Sequence, residues 1–217
     1  MKTKYYVIKF RMLKTLNKQH VKISTALDTI SKHNDPFQVL ISTILSARTR
    51  DENTMKASVN LFSKYPNAES LSNAKLYSVK KLIKPAGFYN VKSKSIIAVS
   101  KIIKNQYDGN VPDDFEELIR LPSVGRKTAN CVLVYGFGKS AIPVDTHVHR
   151  ISNRIGIVRT ITPDETEINL RKQIDKKYWL EINSLFVQFG QNVCKPISPS
   201  CDKCELNTIC NYAKTNR

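Results

Sequence analysis

Apolar residues recur at three- and four-residue spacing along most of this 217-residue chain. Such spacing places them on one face of an α-helix, whereas a half-buried strand shows strict alternation of apolar and polar residues. Five apolar stripes of this kind lie at 37–45, 76–83, 96–103, 148–155 and 179–189. We find no convincing alternation and no internal repeat. The sequence therefore predicts an all-α protein of about ten helices with short connections.

Local signals predict where several helices begin and end. Asp35-Pro36 is an N-cap followed by a proline in the first turn, and Thr162-Pro163-Asp164-Glu165 has the pattern of a capping box. Asp145 is placed to cap the fourth stripe, and a short helix is expected to start near Asp113. Gly190 follows the fifth stripe, and glycine often terminates helices, so we expect that helix to stop there.

The charge balance indicates a polyanionic partner. The chain has 35 lysines and arginines against 18 aspartates and glutamates, a formal net charge of +17. Nucleic acid is the most frequent partner of such a chain, although a lysine-rich amino-acid usage would produce the same excess. No segment approaches the ~20 apolar residues that span a bilayer, and the first residues lack a signal-peptide core. We therefore expect an intracellular protein without membrane association, where structural disulfides are rare.

Four of the five cysteines lie close together near the C-terminus. Cys194, Cys201, Cys204 and Cys210 have the spacing C-x6-C-x2-C-x5-C. The C-x2-C pair can present two thiolates to one metal, and the outer cysteines can complete a four-thiolate site. From spacing alone, zinc and an iron–sulfur cluster are equally compatible, with disulfides as the less favoured alternative. Cys131 stands alone in an apolar run and is predicted to be a core residue.

The segment LPSVGRKTAN at 121–130 predicts a turn that leads directly into a helix. Because a short helix is expected just before it, the two helices and the turn would form a compact hairpin. Backbone N–H groups at the start of the second helix can converge on an anion, and the charge of the chain favours a nucleic-acid phosphate. An ordinary helical hairpin without a ligand is the alternative.

Lys127 lies in the first turn of that second helix, where a cation is unfavourable because the helix dipole places partial positive charge there. The same potential favours the neutral amine, which is the nucleophilic form. Eighteen residues later, Asp145 provides a carboxylate, which could also be a simple helix cap. A phosphate-binding hairpin, a reactive lysine and a carboxylate together suit base removal from DNA. The amine can attack C1′ of the sugar and form a Schiff base, while the carboxylate activates it or stabilises an oxocarbenium-like state.

These motifs together, LPSVGRKTAN, then VDTH at 144–147, then the four-cysteine spacing, resemble the endonuclease III family of DNA glycosylase/AP lyases. The resemblance covers residues 35–211. It implies a helix-hairpin-helix motif with Lys127 as the Schiff-base lysine, Asp145 as the catalytic aspartate, and a 4Fe–4S cluster held by the four cysteines. It also implies two α-helical domains with a DNA-binding cleft between them. Residues 30–138 would form a helical barrel with the hairpin, and residues 1–29 with 139–217 an iron–sulfur cluster domain.

Two further segments resemble loops with which the family probes DNA. LSARTRD at 45–51 is similar to the loop that fills the gap left by a flipped nucleotide, with Arg48 where the family commonly has glutamine. AGFYNVKSK at 86–94 is similar to the wedge loop, with Phe88 at a position that is often aliphatic. The alternatives are a Phe88 in the core and an Arg48 that is merely solvated.

The resemblance also assigns DNA contacts to the hairpin. The residues concerned are Leu121, Ser123, Gly125 and Arg126. Ser123 stands where the family's hairpin usually has glycine, and a non-glycine residue is strained there if the site needs a positive φ.

The resemblance implies a bifunctional enzyme that excises damaged, oxidised pyrimidines from duplex DNA and nicks the abasic site by β-elimination. We expect a monomer whose partner is double-stranded DNA containing damaged bases or abasic sites. One alternative is a mismatch uracil/thymine DNA glycosylase, against which Lys127 argues. Another is a non-catalytic DNA-binding module of the same fold, for which neither Lys127 nor Asp145 is required. An adenine glycosylase is disfavoured because it would usually lack a lysine at 127.

Overall fold

The structure, a computed structural model, describes residues 5–21 and 35–215. All regular secondary structure in these residues is helical, which confirms the all-α prediction. The twelve α-helices found there are α1 (Tyr5–Lys18), α2 (Pro36–Ser46), α3 (Asp51–Phe62), α4 (Ala68–Ser72), α5 (Leu76–Leu82), α6 (Tyr89–Gln106), α7 (Phe115–Arg120), α8 (Arg126–Cys131), α9 (Thr146–Ile155), α10 (Pro163–Gln173), α11 (Trp179–Asn192) and α12 (Asn211–Thr215). A π-helix, Val132–Gly136, continues α8, and a 3₁₀-helix, Lys176–Tyr178, precedes α11. In the described ranges, no helix is both long and apolar enough to cross a membrane.

Contacts divide the chain into two compact units. Ala26–Lys139 form one unit, and Met1–Thr25 together with Ser140–Arg217 form the other. The predicted domain boundary at 29/30 lies outside the described residues, and the predicted boundary at 138/139 lies next to the division after Lys139. The roles assigned to the two domains stay predictions.

In the unit Ala26–Lys139, α2 is central. Eight of its eleven residues are buried, and the helix packs against α3, α6, α8 and the π-helix. Fully burying one aliphatic or aromatic side chain contributes roughly 1.5–3 kcal/mol, so this helix anchors the unit. Its predicted N-cap is confirmed, because one oxygen of Asp35 accepts from the N–H groups of Phe37 at 2.9 Å and Gln38 at 3.2 Å. Cys131 is fully buried in the same unit, as predicted.

The other unit has a core formed mainly by α1, α9 and α11. Its fully or nearly fully buried side chains include Met12, Leu16, Val148, Ile151, Phe186 and Phe189. The predicted capping box at the start of α10 is confirmed. Thr162 Oγ1 accepts from the Glu165 N–H at 3.2 Å, and the Glu165 carboxylate accepts from the Thr162 N–H at 3.3 Å.

One predicted helix boundary was wrong. The helix expected to stop at Gly190 continues to Asn192, and a Cβ atom built on Gly190 would lie 2.3 Å from His147 Nδ1. Glycine is therefore required there by the close approach of a side chain from α9. The helix expected to start near Asp113 is confirmed as α7, and its N-cap is Asp114, whose carboxylate accepts from the N–H groups of Glu116 and Glu117. Asp113 instead forms an ion pair with Lys139.

Candidate active site

The predicted hairpin is formed by α7, the turn 121–125 and α8. The Val124 N–H donates to the Leu121 carbonyl at 3.1 Å, which closes the turn, and Gly125 is the N-cap of α8. The first N–H groups of an α-helix have no partner within the helix. A Cβ built on Gly125 would have nothing within 4 Å, so the backbone here can be approached closely by an anion.

The four hairpin residues predicted to contact DNA differ in their exposure. Leu121 is only 3% exposed, and its N–H and carbonyl groups are bonded to Leu118 and Val124, so it supports the turn from inside and its contact with DNA stays a prediction. Ser123 is exposed and has a φ of 63°, which costs a non-glycine residue about 1 kcal/mol. The backbone strain that we expected for a non-glycine residue with a positive φ at this position is therefore present. Its hydroxyl hydrogen-bonds Ser95 Oγ on α6 at 2.8 Å, which ties the turn to that helix.

The two cations of the hairpin occupy the first two positions of α8. The Arg126 guanidinium carbon lies 4.7 Å from the centre of the Phe115 ring on α7, a distance at which cation–π attraction is effective. Lys127 follows and is half-buried. The local fold therefore positions Lys127 directly beside the open turn.

Asp145 is the N-cap of α9, in the other unit. Its Oδ1 accepts from the N–H groups of His147 at 2.9 Å and Val148 at 2.8 Å. Both bonds use the same oxygen, so Oδ2 takes no part in the cap. A carboxylate has two acceptor oxygens, and the capping and catalytic interpretations of Asp145 are therefore compatible.

The two predicted DNA-probing loops meet on the surface of the unit Ala26–Lys139. Phe88 is 60% exposed, which contradicts the alternative that it is a core residue. Arg48 is exposed as well, and its guanidinium carbon lies 5.7 Å from the centre of the Phe88 ring. Both residues have a left-handed backbone, with φ of 51° at Arg48 and 58° at Phe88. No sequence signal indicated that these two side chains would be neighbours.

All four clustered cysteines line one pocket, and each is a free thiol. Burial, with a smaller contribution from the nearby Cys194, Cys210 and Cys201, raises the pKa of Cys204 to about 11. Four thiolates so close together repel one another unless a cation neutralises them, so the donor set fits a metal centre. Among the described residues, however, no group of three or more His, Cys, Asp or Glu side chains is arranged to hold a single metal ion.

Sequence reasoning missed two arginines of α9 that hold the cysteine segment. Arg154 donates from Nη1 to Cys194 Sγ at 3.4 Å and to the Lys195 carbonyl at 2.7 Å. Arg150 donates to the Cys194 carbonyl at 2.8 Å. The helix that Asp145 caps therefore also organises the first cysteine. The four-residue spacing of these arginines on a predicted helix was the available signal.

Several known proteins are similar to this chain in sequence and in fold. Residues 41–176 match the HhH-GPD superfamily of base excision DNA repair proteins. Endonuclease III of Thermotoga maritima is 52% identical over 181 residues, which cover 83% of this chain and 85% of the relative. Endonuclease III of Rickettsia conorii is 39% identical over 180 residues, covering 83% and 86%. A structure of a trapped endonuclease III–DNA covalent intermediate has a TM-score of 0.85 and 34% identity, covering 99% of both chains.

The fold and the hairpin therefore define a base excision DNA repair protein of the HhH-GPD superfamily. Within it, the chain belongs to the endonuclease III family, as the sequence predicted. A thermostable thymine-DNA glycosylase is also similar, with a TM-score of 0.82 over 97% of this chain and 96% of that one. Its 24% identity indicates a shared fold alone.

Proposed function

We propose that this protein is a bifunctional DNA glycosylase and AP lyase that excises oxidised pyrimidines from duplex DNA and cleaves the strand at the abasic site. The observation that carries the proposal is the likeness, over 99% of both chains, to an endonuclease III trapped in a covalent intermediate with DNA. Such an intermediate requires a nucleophile, and Lys127 is placed beside the open turn of the hairpin. The protein acts as a monomer inside the cell, where its DNA substrate is found.

In the proposed reaction, the neutral amine of Lys127 attacks C1′ of the damaged nucleotide. The N–C1′ bond forms as the glycosidic bond breaks, and the base leaves with the bonding electrons and takes up a proton. The amine then loses one proton, and the C1′–O4′ bond breaks as O4′ takes up a proton, which gives a protonated Schiff base. Removal of a proton from C2′ expels the phosphate on the 3′ side, which cleaves the strand.

Asp145 is the proposed carboxylate partner of this lysine. The two N–H bonds to Oδ1 fix the orientation of the carboxylate. Oδ2 can then accept a proton from the amine or stabilise positive charge that develops at C1′ as the base departs.

Binding to the duplex is assigned to the hairpin and the two probing loops. The open backbone at Gly125 and the side chains of Ser123 and Arg126 would contact phosphates. Leu121, which is buried, would support the turn that presents them. An enzyme that acts on a base in a duplex must extrude the damaged nucleotide from the helix. Arg48 and Phe88 would occupy the space that this nucleotide leaves. The net charge of +17 supports phosphate binding that weakens steeply with salt.

Cys194, Cys201, Cys204 and Cys210 would hold a 4Fe–4S cluster. Their convergence on one pocket as free thiols supports this assignment, as does the Arg154 donor to Cys194 Sγ. When bound, the cluster supplies iron–thiolate bonds that cross-link residues 194–210. The cysteines and the two arginines of α9 then stabilise the unit that contains Asp145.

Borohydride trapping tests the proposal, because borohydride reduces the Schiff base to a stable amine link between protein and DNA. The wild-type protein is expected to be trapped on a duplex that carries an oxidised pyrimidine. Lys127→Ala should abolish trapping, and Lys127→Arg should as well, because a guanidinium stays protonated and cannot act as the nucleophile. Lys101→Ala is the matched control, since Lys101 is an exposed lysine of α6.

Asp145→Asn should slow base removal by about 10²- to 10⁴-fold, the usual contribution of one acid–base group. It should affect cleavage of a preformed abasic site less, because the glycosidic bond is already broken there. Base removal without trapping by the wild-type protein would instead indicate a monofunctional glycosylase. Undiminished trapping by Lys127→Ala would show that another amine is the nucleophile.

A further inference from the structure

Lys92, in the first turn of α6, is a buried lysine that no catalytic step uses. It is only 7% exposed. Its Nζ donates to the Leu45 carbonyl at 2.7 Å, to the Ala47 carbonyl at 2.6 Å and to Thr49 Oγ1 at 2.8 Å. An ammonium group has three donors, and all three are used. Lysine is almost never buried without such partners.

The three acceptors belong to one short segment, residues 45–49, which we call the Arg48 turn. It contains the C-terminal end of α2 and its C-cap, Ala47. The last carbonyl groups of a helix lack partners within the helix, and the dipole places partial negative charge there. Lys92 therefore caps α2 from a different helix, 45 residues away from Ala47 in sequence.

Thr49 connects this cap to residues 86–88, which we call the Phe88 turn. Its Oγ1 accepts from Lys92 and also from the Gly87 N–H at 3.1 Å. The two turns are in close contact, because a Cβ built on Gly87 would lie 2.7 Å from the Arg48 carbonyl oxygen. One ammonium group and one hydroxyl thus join the segment that carries Arg48 to the segment that carries Phe88.

The joined turns hold two residues in an unfavourable backbone conformation. Arg48 and Phe88 are both left-handed, and non-glycine residues keep this conformation when the surrounding structure determines it. The hydrogen bonds of Lys92 and Thr49 hold the two turns together and so keep both residues in the left-handed conformation. Both side chains nevertheless point to solvent, with Phe88 packed beside the Arg48 guanidinium.

We propose that Lys92 is a positioning residue for damage recognition, which orients Arg48 and Phe88 together before DNA binds. This inference rests on the proposed function. Residues already held in the bound arrangement lose less conformational entropy when they enter an opened duplex. The protein therefore prefers DNA from which a nucleotide is readily extruded, and this preference depends on a lysine that itself lies out of reach of DNA.

The test compares the affinities of variants for duplexes with and without one oxidised pyrimidine. Lys92→Met keeps the length of the side chain and removes its donors. It should lower affinity for the damaged duplex by about tenfold or more, and affinity for undamaged DNA much less. The control Lys101→Met removes the same charge from the exposed side of α6 and should change both affinities equally.

A double-mutant cycle separates positioning from a general loss of structure. If Lys92 acts through the two turns, Lys92→Met should have little further effect on damaged-DNA affinity in a chain that already carries Arg48→Ala and Phe88→Ala. Full additivity of the effects would overturn the proposal, and so would a folded Lys92→Met variant with wild-type preference for damage.

Thr49→Val is the second variant, and it decides the question if Lys92→Met does not fold. It removes the shared acceptor with little change in volume, and it should reduce the preference for damage in the same direction by a smaller factor. An unchanged preference in Thr49→Val would refute the role of the joined turns. Borohydride trapping of the wild type through Lys127 is scored in parallel, so a failure of the proposed function is recognised separately.

Discussion

Gly87→Ala is expected to disturb the joined turns directly. A methyl group at this position would lie 2.7 Å from the Arg48 carbonyl oxygen and 3.4 Å from Thr49 Oγ1. Ordinary contact begins near 3.4 Å, so the two backbone segments must separate by about 0.7 Å. Inserting a group into such a contact typically costs about 1–3 kcal/mol, and the lower entropy of the unfolded alanine chain offsets roughly 0.4–1 kcal/mol of this.

The net destabilisation, about 1 kcal/mol from the middle of these ranges, should lower the midpoint of thermal unfolding by about 2–4 °C in a protein of this size. Circular dichroism measures the midpoint, and equilibrium binding to damaged and undamaged duplexes measures recognition. Because the shift separates Arg48 from Phe88, the preference for damaged DNA should fall several-fold.

Gly125→Ala is the matched control for this experiment. Its built Cβ has no atom within 4 Å, so the unfolding midpoint should stay within about 1–2 °C of wild type. If the hairpin binds phosphate through its open backbone, the added methyl group should weaken binding to damaged and undamaged DNA alike. A Gly87→Ala protein with wild-type stability and wild-type damage preference would refute the reasoning about the two turns.

Three further outcomes are expected. Purified protein should be yellow-brown with about four irons per chain, and Cys204→Ser should remove the colour and lower solubility; a colourless protein with stoichiometric zinc would contradict the cluster assignment. Arg48→Ala and Phe88→Ala should each weaken binding to damaged DNA more than to undamaged DNA, in titrations at several salt concentrations, and equal losses would remove the probing role. Burial lowers the pKa of Lys92 from 10.5 to about 8, so between these pH values the unfolded chain holds a proton that the folded protein has released. The free energy of unfolding of the wild type, relative to that of Lys92→Met, should therefore rise with pH across that window by at most about 1.4 kcal/mol per pH unit. Denaturant titrations at several pH values measure this difference. A difference that stays constant or falls with pH would contradict the buried position of the amine.

The sequence by itself determined the features that depend on neighbours close along the chain. Apolar spacing predicted the helices, because residues three and four apart share a face. Asp35, Asp145 and Thr162 were recognised as caps, because a side-chain oxygen reaches the N–H groups two or three residues later. The hairpin motif and the cysteine spacing predicted the family, because the chemistry of each depends on fixed local separations.

The tertiary structure decided the features that depend on contacts between distant segments. Gly190 lies inside α11 rather than at its end. A glycine is needed there because His147 of α9 packs against this position, and no local pattern around residue 190 indicates that contact. Phe88 is exposed beside Arg48, 40 positions earlier in the chain. Nothing in the sequence distinguishes Lys92 from the other lysines of the chain. It is buried because α6 brings its amine to the carbonyl end of α2. Hydrogen bonds that satisfy a helix end from another helix can be assigned only when the packing of the two helices is known.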